Sequence, residues 1–366
     1  MRVLHLITRF LDGGAETTTL NTIDTLKSSD ANYDIRLGTG GEHDPNRLEN
    51  LNIKSVVFDS LRHYAPVSAV FAVGSIARYL HSEEIDVLHT HSTEAGVVGR
   101  LAGLLAGTPV IIHEVHGDPI TDDRPWLFNQ FLLTSERLCA RFSNRIVVKS
   151  ERIRETYLKR DIGQPNQYKL IYHGVDIEQF RTATPSSVPA DNCTTLLYVG
   201  RLADGKGLYD LLTALNRLHQ PSVELLIAGE GPERAGLEAK AEAHGLPTHF
   251  LGYREDVPAL MAGADVLVLP SYREGTPRVV TEALASGTAV VATNVAGIPE
   301  QVADGETGRL IEPGDVEALS TVLADVVENP KKWELMGNRA RESVAKFRLS
   351  RASEAYRKLY RSITPD

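Results

Sequence analysis

The sequence has little that would place the protein outside a reducing compartment or across a membrane. It holds two cysteines in 366 residues, Cys139 and Cys193, too few and too far apart for a disulfide framework. No apolar run approaches the roughly 20 residues that a bilayer-crossing helix needs. The amino terminus, Met1-Arg2-Val3-Leu4-His5-Leu6-Ile7, reads as a short strand and lacks the layout of a signal peptide. A cytoplasmic protein is expected, with at most a peripheral place on the inner face of a membrane. An overall basic charge is also missing: the net is −9, so no nucleic-acid partner is expected. Several catalytic signatures are absent as well. There is no Gly-x-Ser-x-Gly elbow and no P-loop. The tract Gly229-Glu230-Gly231-Pro232 lacks the third glycine of a dinucleotide fingerprint and reads as a strand-to-helix turn. Nucleophilic triads and nicotinamide chemistry are thereby disfavoured.

What is present is a long alternation. At 366 residues two domains are the default. Apolar strand patterns at Val3–Thr8, Ile35–Leu37, Val56–Asp59, Val87–Thr90, Val110–His113, Ile146–Lys149 and Lys169–Tyr172 are separated by helical patterns from Ala15–Leu26 to Glu151–Lys159. The segment 183–191 has linker composition. A second series then runs through strands at Thr195–Val199, Leu225–Ala228, His249–Leu251, Val266–Leu269, Ala289–Ala292 and Arg309–Ile311. A last helical pattern, Ser350–Arg361, carries a stripe at Tyr356, Leu359 and Tyr360. The expected fold class is α/β, with two Rossmann-like domains. One spans 1–180 and the other 181–347, with 348–366 returning to the first, and both domains are expected to face one cleft. Charge is uneven: about −3 over residues 1–177, −12 over 178–330 and +7 over 331–361. Within 137–160, Arg137, Arg141, Arg145, Lys149, Arg152, Arg154, Lys159 and Arg160 face only Glu151 and Glu155. Such a segment either attracts an anionic membrane surface or is an ordinary solvated face.

Three loops carry candidate chemistry. The stretch Glu274-Gly275-Thr276-Pro277-Arg278-Val279-Val280-Thr281-Glu282 sets two carboxylates around a helix start, with free amides between them for an anion. That pattern suits a ligand with hydroxyls at both ends and phosphate in the middle, as in a nucleotide-sugar. The plain alternative is a capped helix with a solvated Glu. Earlier, Gly200-Arg201 and Lys206 frame a strand-to-helix loop, where Arg bridges phosphate oxygens and Lys adds a point charge. In the first half, Gly13 and Gly14 precede a helix and permit close approach of a ligand. His116 follows a strand end, where it either bonds a ligand hydroxyl or is satisfied within its turn. His89 and His91 share one face of a strand. A metal there needs a third ligand, for which His113 with Glu114 is the only candidate nearby in sequence, and no metal site is expected.

Taken together these motifs resemble the family 4 retaining glycosyltransferases of the GT-B fold, of the polysaccharide and exopolysaccharide type. The resemblance runs the length of the chain. It rests on Gly13-Gly14, Val199-Gly200-Arg201-Leu202 with Lys206-Gly207, Gly229-Glu230-Gly231-Pro232, Pro270-Ser271, Glu274-Gly275-x-Pro277, Glu282-Ala283 and Ile171-Tyr172-His173-Gly174-Val175-Asp176. It implies that Arg201 and Lys206 bind the donor diphosphate, that Glu274 contacts the donor sugar beside Gly275, Thr276 and Pro277, and that Glu282 holds the ribose. By the same resemblance Gly14 approaches the donor, His116 sits beside the transferring sugar, and Tyr253 with Arg254 frames the nucleobase. It further implies a UDP- or GDP-sugar as co-substrate, a glycan or lipid-linked acceptor, retention at the sugar, and no cofactor or metal. Thr276 and Arg278 depart from the family, which often has a bulky apolar residue after Glu-Gly, and they leave the donor sugar open. A sugar-nucleotide epimerase of the same fold and a non-catalytic sugar-nucleotide-binding protein are the alternatives.

Overall fold

The computed structural model of the protein describes residues 1–11, 13–29, 31–61, 66–121, 124–185, 193–218 and 222–363. Most of the linker-like segment, from 186 onward, and Asp12 lie outside the described residues. The chain divides into two compact units, Met1–Gly174 with Ser350–Asp366, and Val175–Leu349. The helix Ile177–Arg181 therefore belongs to the second unit, across the boundary read from the sequence.

The first unit is a sheet of seven parallel strands: β1 (Arg2–Ile7), β2 (Asp34–Gly40), β3 (Lys54–Phe58), β4 (Val87–His91), β5 (Val110–Val115), β6 (Arg145–Val148) and β7 (Tyr168–Leu170), in the order β3-β2-β1-β4-β5-β6-β7. The order reverses between β1 and β4, the point at which open α/β sheets leave a crevice at their strand ends. Central strands covered on both faces become continuous apolar runs, as in Val3, Leu4, Leu6 and Ile7, none more than 1 % exposed. The helix Thr93–Ala106 lies close on the sheet because its inner row is glycine. A Cβ at Gly96, Gly99 or Gly103 would meet His113, Thr90 or Ile111 side chains at 2.4, 2.6 and 2.8 Å. Its Arg100 is buried and paired with Glu136 of the next helix, Trp126–Ala140, at 2.8 Å.

The last helix, Leu349–Arg361, buries Ala352, Tyr356, Leu359 and Tyr360, the i, i+4, i+7, i+8 row of one helix face. These side chains join the core of the first unit with Val3, Ile7, Ile23, Leu37 and Val87. The stripe seen in the sequence thus packs where it was expected.

The second unit is a sheet of six parallel strands: β8 (Thr194–Val199), β9 (Val223–Ala228), β10 (Thr248–Gly252), β11 (Val266–Leu269), β12 (Ala289–Thr293) and β13 (Gly308–Ile311), in the order β10-β9-β8-β11-β12-β13. Its reversal falls between β8 and β11. All the expected strands are present, displaced by no more than a few residues. Among the described residues three short α-helices were not expected: Pro45–Glu49, Ile177–Arg181 and Val257–Gly263. Five to seven residues are too few for an amphipathic period to emerge. No helix among the described residues is long and apolar enough to cross a membrane.

Because Leu359 is 4 % exposed within that core, Leu359→Ala should cost about 2–5 kcal/mol in urea unfolding. The adjacent exposed position, Lys358→Ala, should stay within about 0.5 kcal/mol.

Candidate active site

In the second unit the loops after β8 and β11 meet at the switch point. Gly200 has φ 155° and Gly207 φ 68°. A Cβ on Gly207 would fall 2.0 Å from the Pro270 carbonyl, and one on Gly229 would fall 1.9 Å from that of Gly200. Only glycine lets these backbones approach so closely. The contact is held by the Leu202 amide donating to Glu230 (2.9 Å) and the Tyr272 amide donating to Gly205 (2.9 Å). In this setting Lys206 Nζ donates to Glu274 Oε1 at 2.7 Å, the two side chains being 26 % and 11 % exposed. Arg201 is exposed, and its carbonyl accepts from the Tyr198 hydroxyl (3.0 Å). Burial, and then the Glu274 charge, push that phenol well up.

Glu274 and Gly275 precede the helix Arg278–Ser286, whose first-turn amides face the start of the helix. The Gly275 carbonyl is fixed by the Gly297 amide (2.8 Å) and that of Pro277 by Gln301 Nε2 (2.8 Å). Glu282, one turn in, lies 3.4 Å from Arg278 Nε. Desolvation raises the Glu282 carboxyl above its ordinary value, partly offset by Arg278. Thr276 lies between Gly275 and Pro277 in this wall, half-buried. Tyr253, 61 % exposed, follows Gly252 at the end of β10, and Arg254 is held by Asp256 through two bonds of 2.7 and 2.6 Å.

In the first unit a cavity of about 410 Å³ opens at the ends of β1, β4 and β5, lined among others by Gly14, Glu16, Glu94, His116, Asp118 and Arg124. Gly13 precedes the helix Gly14–Lys27 in extended conformation, and a Cβ there would collide with Glu16 Oε2 at 2.4 Å. Burial raises the Glu16 carboxyl. Ser92, at the turn into the next helix, holds φ 69° and ψ 172°, a region unfavourable for a residue with a side chain and a mark of functional sites. His116 is 15 % exposed and lines this cavity. Behind it lies a buried cluster: His91 Nδ1 at 3.3 Å from His116 Nε2, His5 Nδ1 at 3.0 Å from His91 Nε2, and the Tyr360 hydroxyl at 2.8 Å from His89 Nδ1. Glu114 sits beside them, ion-paired with Lys149 Nζ (2.8 Å) and accepting from the Tyr356 hydroxyl (2.6 Å). Burial lowers His5 and His91 well below the ordinary histidine value and His116 to about 4, so these rings are neutral.

Each unit therefore gathers its own candidates: Gly13, Gly14 and His116 in the first, and Gly200, Arg201, Lys206, Glu274, Gly275, Thr276, Pro277 and Glu282 in the second. Two sequence expectations are corrected. Of the two residues weighed beside His89 and His91, Glu114 lies with them, 3.3 Å from His89 Nε2 and 3.8 Å from His91 Nδ1, and His113 does not. His113 pairs in register with Thr90 on the opposite face of the sheet and bonds its hydroxyl at 3.0 Å. A further neighbour on the histidine face is His5, in register with His89 on β1, which only strand order reveals. Lys149 and Arg160 are also withdrawn from the basic segment: Lys149 is buried against Glu114, and Arg160 Nη1 donates to both Asp118 oxygens at 2.7 Å. Two partners were missed. Arg278 is four residues from Glu282, a spacing that signals a helix pair. Glu16 opens the first turn of a helix, where acids are favoured.

Comparison with known proteins agrees with this geometry. The family model "Glycosyltransferase Family 4" matches residues 12–179, and "Glycosyl transferases group 1" matches 180–343. An Escherichia coli UDP-Gal:alpha-D-GlcNAc-diphosphoundecaprenol alpha-1,3-galactosyltransferase is 26 % identical over 301 residues, 78 % of each chain. A glycogen synthase of Mycobacterium tuberculosis is 36 % identical over 181 residues, 47 % of this chain and 43 % of that one. Among solved structures, Anabaena Alr3699/HepE in complex with UDP-glucose superposes with a TM-score of 0.83 at 23 % identity, covering 99 % of this chain and 100 % of the other. The class is therefore that of the GT-B glycosyltransferases, enzymes built from two α/β units. Within it, the chain belongs to glycosyltransferase family 4.

The Glu282 environment predicts a pH signature. Its folded carboxyl titrates above the ordinary value of 4.5, so ionisation weakens the ligand-free fold as pH rises through that raised value. Glu282→Gln should melt higher than the wild type at pH 8, and the gap should close on acidification to pH 4.

Proposed function

We propose that the protein is a retaining glycosyltransferase that moves a sugar from a UDP- or GDP-linked donor to a glycan or lipid-linked acceptor in polysaccharide or glycoconjugate synthesis. The observation that carries this reading is the Lys206–Glu274 contact at the switch point of the second unit, with Arg201 exposed beside it. A cation that can exchange a carboxylate for a diphosphate, next to a carboxylate that can then take sugar hydroxyls, suits a nucleotide-sugar. Arg201 and Lys206 neutralise the diphosphate as it leaves, a stabilisation concentrated in the transition state, and they fill the role a metal takes elsewhere. Glu282 takes the ribose hydroxyls, and the solvated Tyr253 ring stacks on the base with Arg254 beside it. UDP is the first donor nucleotide to test, since the E. coli relative is named for UDP-Gal.

The acceptor is assigned to the cavity of the first unit, beside Gly14 and His116. In a front-face route the acceptor oxygen bonds the anomeric carbon as the carbon–phosphate oxygen bond breaks. The acceptor proton passes to the leaving phosphate, and the configuration is kept. Lys206→Ala and Glu274→Ala should each lower kcat by at least about 10²-fold with unchanged melting temperature. UDP should raise the melting temperature of the wild type by mass action and that of Lys206→Ala much less. Normal turnover in either variant rejects the site assignment, and an inverted product seen by NMR rejects retention.

A place on an anionic membrane has its own support. The helix Trp126–Ala140 exposes Trp126, Leu127 and Phe131, at 70 %, 74 % and 60 %. Arg137 and Arg141 at its far end rim a shallow hollow of about 710 Å³ with Gln164 and Asn166. Aromatic and basic side chains on one helix favour the headgroup layer. The wild type should sediment with phosphatidylglycerol vesicles but not with neutral ones. Trp126→Ser with Phe131→Ser should abolish this while leaving activity on a soluble donor assay unchanged.

A further inference from the structure

The buried histidines behind His116 form an ordered chain of hydrogen-bonding groups, and the carboxylate beside them fixes its direction. Going inward from the cavity, His116 Nε2 meets His91 Nδ1 at 3.3 Å, His91 Nε2 meets His5 Nδ1 at 3.0 Å, and His5 Nε2 meets the Tyr360 hydroxyl at 3.4 Å. That hydroxyl lies 2.8 Å from His89 Nδ1. The other His89 nitrogen, Nε2, lies 3.3 Å from Glu114 Oε2, near enough for charge although outside good hydrogen-bond geometry. Glu114 is balanced by Lys149 at 2.8 Å, so the cluster holds no spare negative charge for an imidazolium, and each ring carries one N–H.

Three patterns of donation satisfy every link, because a hydroxyl can accept twice: in two the rings from His116 to His5 all donate inward and Tyr360 either donates to His89 or accepts from it as well, and in the third the whole chain runs outward. In the first, His116 donates to His91, His91 to His5, His5 to Tyr360, Tyr360 to His89, and His89 Nε2–H faces the carboxylate. In the second and third, His89 turns a bare Nε2 lone pair on Glu114 at 3.3 Å, and in the third His116 adds its own at 3.5 Å. The first places one lone pair near the carboxylate, that of His91 Nδ1 at 3.8 Å. Coulomb repulsion selects the first, the more strongly because the cluster is dry. It leaves His116 with Nε2 protonated and Nδ1 bare, as does the second.

We propose that this chain holds His116 as the Nε2–H tautomer, so that its other nitrogen accepts a hydrogen bond from a substrate hydroxyl, and that Tyr360 of the C-terminal helix is a positioning residue for it. The catalytic consequence rests on the placement of His116 at the reaction centre, and the tautomer does not. Acceptance at Nδ1 orients a hydroxyl with its oxygen lone pairs directed away from the ring. The hydroxyl so held is a non-reacting one of the substrate, since the acceptor's own proton goes to the leaving phosphate, and the opposite tautomer would donate to that oxygen and turn its O–H away. In enzymes where a buried partner sets a histidine tautomer, losing it costs up to ~10⁴-fold in kcat. Tyr360 acts through two further rings, so a smaller loss is expected.

The test uses full-length protein with ¹⁵N-labelled histidine and long-range proton–nitrogen correlation at pH 7.5, His116 being assigned by the signals that vanish in His116→Gln. The wild type should show His116 Nε2 protonated and Nδ1 bare. A protonated Nδ1 overturns the proposal, and this reading needs no variant and no turnover. Tyr360→Phe keeps the buried ring and removes the hydroxyl. It should move the His116 signals toward a tautomer mixture and lower kcat about tenfold, with donor KM within about twofold. Unchanged tautomer and kcat in a folded Tyr360→Phe protein overturn the role of Tyr360. The rings of His5, His89 and His91 are also close enough to hold a metal ion. Stoichiometric zinc in the purified protein, released by chelator with a change in these signals, overturns the chain as drawn. Should no donor be turned over at all, the transferase reading fails while the tautomer measurement still stands or falls alone.

Discussion

The first unit is organised around one buried carboxylate. Taking an ion such as Glu114 out of water costs several kcal/mol unless it is paired and hydrogen-bonded. Its partners come from separate places: Lys149 just past the end of β6, and Tyr356 from the last helix of the chain. The charge is tolerable only when β5, β6 and that helix are all in position. Lys149 and its neighbours hold the Glu114 carboxyl well below its usual range against the pull of burial. A depressed acid contributes stability above its unfolded value and loses it as pH falls through the folded one. The C-terminal helix is thus tied to the sheet by charge as well as by the apolar row that packs against Val3 and Ile7.

The second unit manages charge in the opposite way. Its ions are placed at a surface crevice and rest on one another: Lys206 on Glu274, Arg278 near Glu282, Arg254 on Asp256. Partly exposed pairs of this kind contribute little to stability, so exchanging a protein carboxylate for a ligand phosphate, as the proposed function requires, is a small rearrangement. The rigid part is the backbone, where glycines at 200, 207 and 229 allow three loops to touch. A stiff frame carrying exchangeable ion pairs is what a diphosphate site requires.

This difference governs what could be read from the sequence. The second unit's candidate site lies in contiguous motifs on loops that directly follow strands, so the grouping of Gly200, Arg201, Lys206, Glu274 and Glu282 could be drawn from local pattern, and the helix that begins between the two glutamates was visible too. The alternation of strands and helices was equally plain, because parallel strands buried on both faces are short apolar runs. The cluster in the first unit was legible only in part. His5 and His89 are neighbours only because β1 and β4 are adjacent, and strand order is not encoded in a local pattern. Of the two candidates near in sequence, Glu114 does face the histidines, while alternation along β5 turns His113 to the other face. Lys149 read as one of a basic series, since nothing local distinguishes a buried lysine from a solvated one.

The same limit explains the two tyrosines of the last helix. As members of an apolar row, Tyr356 and Tyr360 announced burial, and phenylalanine would have satisfied that pattern equally well. The hydroxyls matter because the sheet surface beneath them is polar: His5, His89 and Glu114 occupy positions that Val or Ile fill elsewhere in the sheet. A buried hydroxyl without a partner costs about 1–3 kcal/mol, and so does each imidazole nitrogen that a phenylalanine would leave bare. The polar strand residues and the tyrosines therefore account for one another, and neither set is explained by packing alone. What remains to be explained is why the sheet carries imidazoles there at all. The cluster ends at His116, its one partly exposed member, on the wall of the cavity. A polar chain that costs desolvation along its length and emerges at a single ring is best understood through what that ring does.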